Sequence, residues 1–285
     1  MQIVTDRGAD LSPSQLEGIT VHFTPMRLTL DGKTYSSGED VTPEQFYDLM
    51  SESSGFPTTS QATSGDFAAL YRELAREDPE IFSIHISSGL SGTLSSAKTG
   101  AQMTPEAKVT FWDTKTLSCP EGWQVELAAQ ALKAGWPLDR VLRRLEELSA
   151  KTVEMFTLDT MKYLIHGGRI SHMKGLIASL LHILPIIGVE LESGKYIQLG
   201  QERTMKRALD RMVTLLQGHY AAGSELRVQL MHGKNPEMVA YLKDQLERVF
   251  RCCWLPTVSV APILGAHTGP SLVAFSAAPL ELFKI

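Results

Sequence analysis

The sequence predicts an α/β fold made of two α/β domains, residues 1–151 and 152–285, the N-terminal one built on a mainly parallel sheet. Three observations lead there. Strand-like and helical segments alternate as far as Ser149, the alternation restarts at Glu154, and polar loops fall where strands end or helices begin.

In the first half, strands are expected at Gln2–Thr5, Val21–Leu30, Ile81–Ile86 and Lys108–Trp112. Ile81–Ile86 is apolar and β-branched enough for an interior parallel strand. Helices are expected at Pro43–Met50, Gly65–Arg76, Thr93–Gln102, Glu121–Ala134 and Leu138–Ser149. The start at Pro43 is well marked, because Thr42 can cap it, proline suits a first helical position and Gln45 completes a capping box. In the second half a strand at Glu154–Leu158 comes first. A helix follows over Lys174–Leu184, capped by Ser171 and broken by Pro185. Then come a strand at Ile186–Leu191, a hairpin across Glu192-Ser-Gly-Lys195, and helices at Thr204–Gln217 and Pro236–Phe250. Strands at Leu226–Met231, Thr257–Val260 and Leu272–Ser276 flank the last helix. No internal repeat or low-complexity segment interrupts the pattern.

With 285 residues, 43% apolar and 21% charged, the chain can bury a sizeable core. A net charge of -5 and the lack of a basic stripe with interleaved aromatics argue against a nucleic-acid partner. No secretory leader pattern follows Met1, and Cys119, Cys252 and Cys253 make neither a disulfide framework nor a metal-ligand spacing, so a cytoplasmic location is expected. The longest apolar stretch, Gly175–Leu191, contains His182 and Pro185 and falls short of the ~20 residues that span a bilayer, so no integral membrane segment is expected. A helix apolar on nearly every side belongs in a core or against the wall of an apolar ligand cavity.

Polar clusters stand at Thr5-Asp6 with Asp10, at Thr58-Thr59-Ser60-Gln61, at Ser87–Thr93, and at Ala266-His267-Thr268-Gly269-Pro270. In open α/β sheets, ligands sit beyond the carboxyl ends of strands, so such clusters can converge on one pocket. The Ser87–Thr93 loop joins a buried strand to a helix whose first N–H groups lack internal partners. It can hold an anion, or it can simply cap the helix. The run from Gly188 to Tyr196 misses the P-loop pattern, no Gly-x-Gly-x-x-Gly follows the first strand, and the histidines form no metal-binding motif. No metal and no cofactor are expected. A serine hydrolase could use Ser88 or Ser91 as nucleophile, His267 as base and Asp6 or Asp113 as orienter, but the Gly-x-Ser-x-Gly elbow is missing.

Taken together, these clusters resemble the DegV family. The resemblance rests on Ile3-Val4-Thr5-Asp6 with Ala9-Asp10-Leu11, Thr59-Ser60-Gln61 before a helix carrying Phe67 and Tyr71, and Ser87-Ser88-Gly89-Leu90-Ser91-Gly92-Thr93. It continues through Tyr163-Leu164, Gly167-Gly168-Arg169-Ile170-Ser171, Arg203-Thr204 and His267-Thr268-Gly269-Pro270, in one order along nearly the whole chain. It implies a two-domain protein that binds one long-chain fatty acid in a buried tunnel between its domains. The acid is then presented to a separate ATP-dependent fatty acid kinase, which makes an acyl-phosphate for phospholipid synthesis. On that resemblance the chain is a carrier subunit and a monomer, not a complete enzyme. By position Thr59 and Ser60 would meet the carboxylate from one side and the Ser88–Gly92 loop, with Ser88 or Ser91 as the main donor and Gly92, from another. Arg203, His267 and Thr268 would meet it from the second domain. Leu176, Ile177, Leu180, Leu181 and Leu184 are the expected tunnel wall. The family's usual residues after Asp6 are replaced by Arg7-Gly8, and its proline after Ser-Gln by Ala62, which puts the loop entrance and kinase docking in question. A serine-type acyl hydrolase and a lipid-binding regulator without a kinase partner are the alternatives.

A carboxylate taken out of water needs several hydrogen-bond donors together. A sixteen-carbon tail buried at ~0.8 kcal/mol per methylene gains roughly 12 kcal/mol gross, so affinity should come from the tunnel and orientation from the head-group clamp.

Overall fold

The computed structural model describes residues 1–170 and 183–285. Its first sheet is wholly parallel. Strands β1 (Gln2–Asp6), β2 (His22–Thr24), β6 (Glu80–His85) and β7 (Lys108–Asp113) lie in the order β2-β1-β6-β7. Alternate side chains leave opposite faces of such a sheet. Val4 and Ile81 pack under helices α3 (Ser64–Leu74) and α4 (Thr93–Gln102). Ile3, Phe82 and Ile84 pack under α5 (Ser118–Lys133) and α6 (Leu138–Lys151). Both faces are therefore covered, as parallel strands require.

The expected strand Val21–Leu30 is two strands. Proline has no N–H to give a ladder, and at Pro25 the chain leaves the parallel sheet. Beyond it β3 (Arg27–Leu30) pairs antiparallel with β4 (Lys33–Ser36) and β5 (Thr58–Ser60), forming a separate small sheet. The β3–β4 turn is Asp31-Gly32, both at positive φ (49° and 77°), the geometry that suits a tight hairpin. Helix α2 (Pro43–Glu52) has the expected capping box on Thr42 and Gln45.

The second sheet is mixed. It contains β8 (Val153–Thr157), β9 (Leu184–Val189), β10 (Tyr196–Glu202), β11 (Glu225–His232), β12 (Arg251–Trp254) and β14 (Val273–Pro279), in the order β10-β9-β8-β14-β11-β12. The short β13 (Val258–Ser259) also pairs with β11. One face, with Met155, Ile186, Leu230 and Phe275, packs under α8 (Met205–Gln217) and α9 (Pro236–Glu247). The other, with Phe156, Ile187, Met231 and Ala274, turns toward Met26, Ile86, Leu117 and Cys119 from the first half of the chain. Between β8 and β9 lies the short α7 (Lys162–His166), and before β14 the short α10 (Pro262–Thr268).

Leu184 was expected at the end of a helix and instead opens β9, with Pro185 inside the strand opposite Gln201. The neighbouring β8 pairs with β9 only at Ile186 and Ile187, so Pro185 leaves no ladder donor missing on that side. Ser171, Leu176, Ile177, Leu180 and Leu181 lie outside the described residues. The hairpin across Glu192–Lys195 is present: Glu190 N–H donates to Lys195 O at 2.9 Å and Gly194 N–H to Glu190 O at 2.7 Å.

Candidate functional site

The strand β5 sets Thr59 at the edge of the small sheet, and α10 brings His267 up to it. Thr59 Oγ1 and His267 Nε2 are hydrogen-bonded at 2.8 Å. Both line a cavity of about 510 Å³, counting its open mouth. Met26, Ile86, Leu117, Ile263 and Leu264 give it apolar walls, Tyr196 closes one side, and Ser60, Gln61, Ser91 and Arg169 stand with the Thr59–His267 pair. The lining comes from both halves of the chain.

Burial, helped by the charges of Arg169 and His166, pushes the His267 imidazole down to about 4, so it is neutral at pH 7. Its Nδ1 is buried and has no hydrogen-bond partner among the described residues. That nitrogen faces Gly167, where an added Cβ would lie 2.0 Å away. Only a residue without a side chain lets α7's end pass so close. Arg169 Nη1 donates to Gly167 O at 2.7 Å, which ties the guanidinium to the same turn.

The Ser87–Thr93 loop splits into residues with different tasks. Ser91 lines the cavity, shares a hydrogen bond with Thr93 Oγ1 at 2.8 Å and accepts Thr93 N–H at 3.3 Å. Ser88 is exposed and turned away, its Oγ donating to Asp113 Oδ2 at 2.5 Å and its N–H to Asp113 Oδ1 at 3.1 Å. Burial alone would raise the Asp113 carboxyl, but hydrogen bonds from Ser88 and Lys115 outweigh it and hold the group below its ordinary range. Gly92 stands at the N-cap of α4, and a Cβ there would meet the Gln61 amide at 2.7 Å. Ser87 Oγ donates to Gly194 O at 2.7 Å, and a Cβ on Gly89 would strike Ser193 O at 2.4 Å, so the β9–β10 hairpin is seated directly on this loop.

Other expected contacts lie elsewhere. Arg203 is exposed beyond β10, in a surface depression with Ile183, Gln201, Glu202 and Arg207, and Arg169 is the arginine that lines the cavity. Thr268 is buried and donates to Leu264 O at 3.3 Å, one turn back in its own helix. Leu184 is not among the lining residues. Arg169, Gln61, Met26, Leu117 and Tyr196 were not singled out as site residues. For Arg169 a signal existed, since it stands in the Gly-Gly-Arg run beside two positions where a glycine is required.

No imidazole hydrogen-bonds Ser88 or Ser91 among the described residues. A run with the composition of a catalytic triad does exist, Asp6 Oδ2 to His85 Nδ1 at 2.9 Å and His85 Nε2 to Ser83 Oγ at 2.6 Å, continuing to Tyr71 OH at 2.7 Å. It is sealed in the core, every member having no exposed surface. Among the described residues no group of His, Cys, Asp or Glu is placed to hold a metal ion, and no helix is long and apolar enough to cross a membrane. Hydroxyls, an imidazole and a guanidinium at the mouth of an apolar cavity suit an amphipathic anion.

Comparison with known proteins agrees on one family. The family model described as "Uncharacterised protein, DegV family" matches residues 1–280. A DegV domain-containing protein of Staphylococcus aureus is 32% identical over 272 residues, covering 95% of this chain and 96% of that protein. Among solved structures, a DegV family protein from Thermus thermophilus, described by its fatty acid binding, is 29% identical with a TM-score of 0.88, covering 98% of this chain and 99% of that one. DegV of Bacillus subtilis, described as a fatty acid binding protein, is 27% identical with a TM-score of 0.87, covering 97% and 98%.

Proposed function

Because the chain belongs to the DegV family, we propose that it binds one long-chain fatty acid and presents the carboxylate to a separate ATP-dependent fatty acid kinase. The observation that carries the reading is the Thr59–His267 pair at 2.8 Å, set with Ser91 and Arg169 over apolar walls. The tail fills the cavity between the two sheets. The head group takes hydrogen bonds from Thr59 and Ser91, lies beside His267 and is countered by the Arg169 charge. In the relatives from Thermus thermophilus and Bacillus subtilis the same fold is described with a fatty acid as ligand.

The ligand then supplies the nucleophile. Its ionised carboxylate oxygen attacks the γ-phosphorus of ATP, the bond to ADP breaks, and the acyl-phosphate leaves with the phosphoryl group. The kinase brings nucleotide and magnesium. Exposure of Ser60 beside the half-buried Thr59 supports a head group reachable from outside. We read the chain as two units, 1–151 and 152–285, acting as a monomer. The separation of the two main sheets near residue 152 supports the division, and its free cysteines suit a reducing cytoplasm.

Denaturing mass spectrometry of the purified protein tests the binding: about one intact fatty acid per chain is expected, as one head-group site orients one acid. Protein that carries no lipid and takes up none from a fatty-acid mixture would end the proposal. Addition of kinase and ATP should then convert the bound acid to acyl-phosphate. Binding without conversion by any fatty acid kinase leaves a lipid-binding regulator.

A further inference from the structure

The helix α10 that carries His267 has no capping side chain of its own. Ala261 stands at its N-cap, and Pro262 has no N–H to satisfy. The chain's entry into it is held by residues from the first fifty of the chain. Ala261 N–H donates to Asp10 Oδ1 at 3.0 Å, Ile263 N–H donates to Ser37 Oγ at 3.3 Å, and Tyr47 OH donates to Val260 O at 3.1 Å. The second carboxylate oxygen of Asp10 accepts Ser118 Oγ at 2.6 Å, which anchors the acid to the first residue of α5.

These contacts set where α10 sits along its own axis. Gly265 lies against Tyr47, with an added Cβ only 2.4 Å from the hydroxyl, and Gly269 lies against Tyr163, with a Cβ 2.3 Å from the ring. A helix gripped at its start and on two glycine faces has little room to slide. His267 stands between those two glycines, and at this depth its Nε2 meets Thr59 Oγ1. Asp10 is itself buried and does not line the cavity. A carboxyl oxygen that accepts the N-cap N–H satisfies a group that burial would otherwise leave unpaired.

Resting on the fatty-acid reading above, we propose that Asp10 is a positioning residue for the head-group site, holding α10 at the depth where His267 engages Thr59 and the bound carboxylate. It acts through His267 and touches no ligand.

The test is a double-mutant cycle on delipidated protein, with palmitate affinity measured for the native chain, Asp10→Ala, Asp10→Asn, His267→Ala and Asp10→Ala/His267→Ala. Asp10→Ala should weaken palmitate by about tenfold, the size of one lost helix cap. Asp10→Asn, whose amide oxygen can still accept Ala261 N–H, should recover most of that loss. In the His267→Ala background the same Asp10→Ala change should cost no more than about threefold, because the coupled pair shares one effect. Native affinity in Asp10→Ala, or an undiminished loss in the His267→Ala background, overturns the proposal. If Asp10→Ala does not fold, Ser37→Ala removes the adjacent cap alone and runs through the same cycle with the same outcomes. If the native protein binds no palmitate, the fatty-acid reading fails separately. The positioning role then rests on the His267 imidazole NMR shift, which Asp10→Ala must move and Asp10→Asn must not.

Discussion

His267 is neutral at pH 7 because burial, with the charges of Arg169 and His166, disfavours its charged form, holding it near 4. A carboxylate arriving beside it has the opposite effect and pulls the imidazole back up. Binding should therefore take up protons between about pH 4 and 6.5, the interval between the buried and ordinary values. Calorimetry in buffers of different ionisation enthalpy measures this. An uptake that vanishes in His267→Ala identifies the group, whereas no uptake in the native protein contradicts contact between His267 and the acid. Arg169 belongs at the same scale. Arg169→Ala should weaken fatty-acid binding more than Arg203→Ala, because Arg169 lines the cavity and Arg203 stands in a separate depression.

At the scale of elements, the site depends on backbones that pass too close for side chains. Gly167→Ala would place a methyl 2.0 Å from His267 Nδ1 and must displace the ring or the α7 turn. Gly89→Ala would drive a methyl into Ser193 O at 2.4 Å and lift the hairpin from the loop. Gly167→Ala should weaken binding by at least about tenfold while its cost to stability stays within the ~1–3 kcal/mol of an overpacked contact. Titration calorimetry with thermal melts separates the two effects, and native affinity would show that His267 tolerates the shift. Much of this scale was legible beforehand. The alternation of apolar runs gave the parallel sheet, and the capping box at Thr42 gave the start of α2. Pro25 and Asp31-Gly32 were readable signals of a break and a turn, and an unbroken β-rich run from Val21 to Leu30 masked them. Side-chain direction was not legible. Ser88 and Ser91 are equivalent in sequence, and only the nearness of Asp113 decides that Ser88 faces away. Likewise Arg169 and Arg203 both stand in matching motifs, and which one reaches the cavity depends on tertiary placement.

At the scale of the molecule, buried acids make stability depend on pH in an unusual direction. Desolvation raises Asp10 from 3.8 to about 7 and Glu154 from 4.5 to about 8, and it raises Glu121 well above its ordinary value. The folded chain keeps these protons where the unfolded chain has lost them. Their contribution to stability is thus complete below about pH 4 and declines as pH rises through 7 and 8. His267 works oppositely, costing stability as pH falls from 6.5 toward 4. The clean window is pH 6.5 to 8, where denaturant melts should show stability falling by up to about 1.4 kcal/mol per pH unit for each protonated acid. Glu154→Gln should flatten that slope, and an unchanged slope would mean Glu154 ionises normally.

The same hydrogen bond that closes the site also dates it. Thr59 and His267 stand 208 positions apart, and helix α10, which carries the imidazole, is made long after the small sheet. During synthesis the small sheet, the Ser91 loop and Arg169 all exist before their partner has left the ribosome. A chain interrupted short of Pro262 keeps Thr59, Ser91 and Arg169 but lacks the imidazole that bonds Thr59. The Thr59–His267 contact therefore reports that α10 has docked on the small sheet.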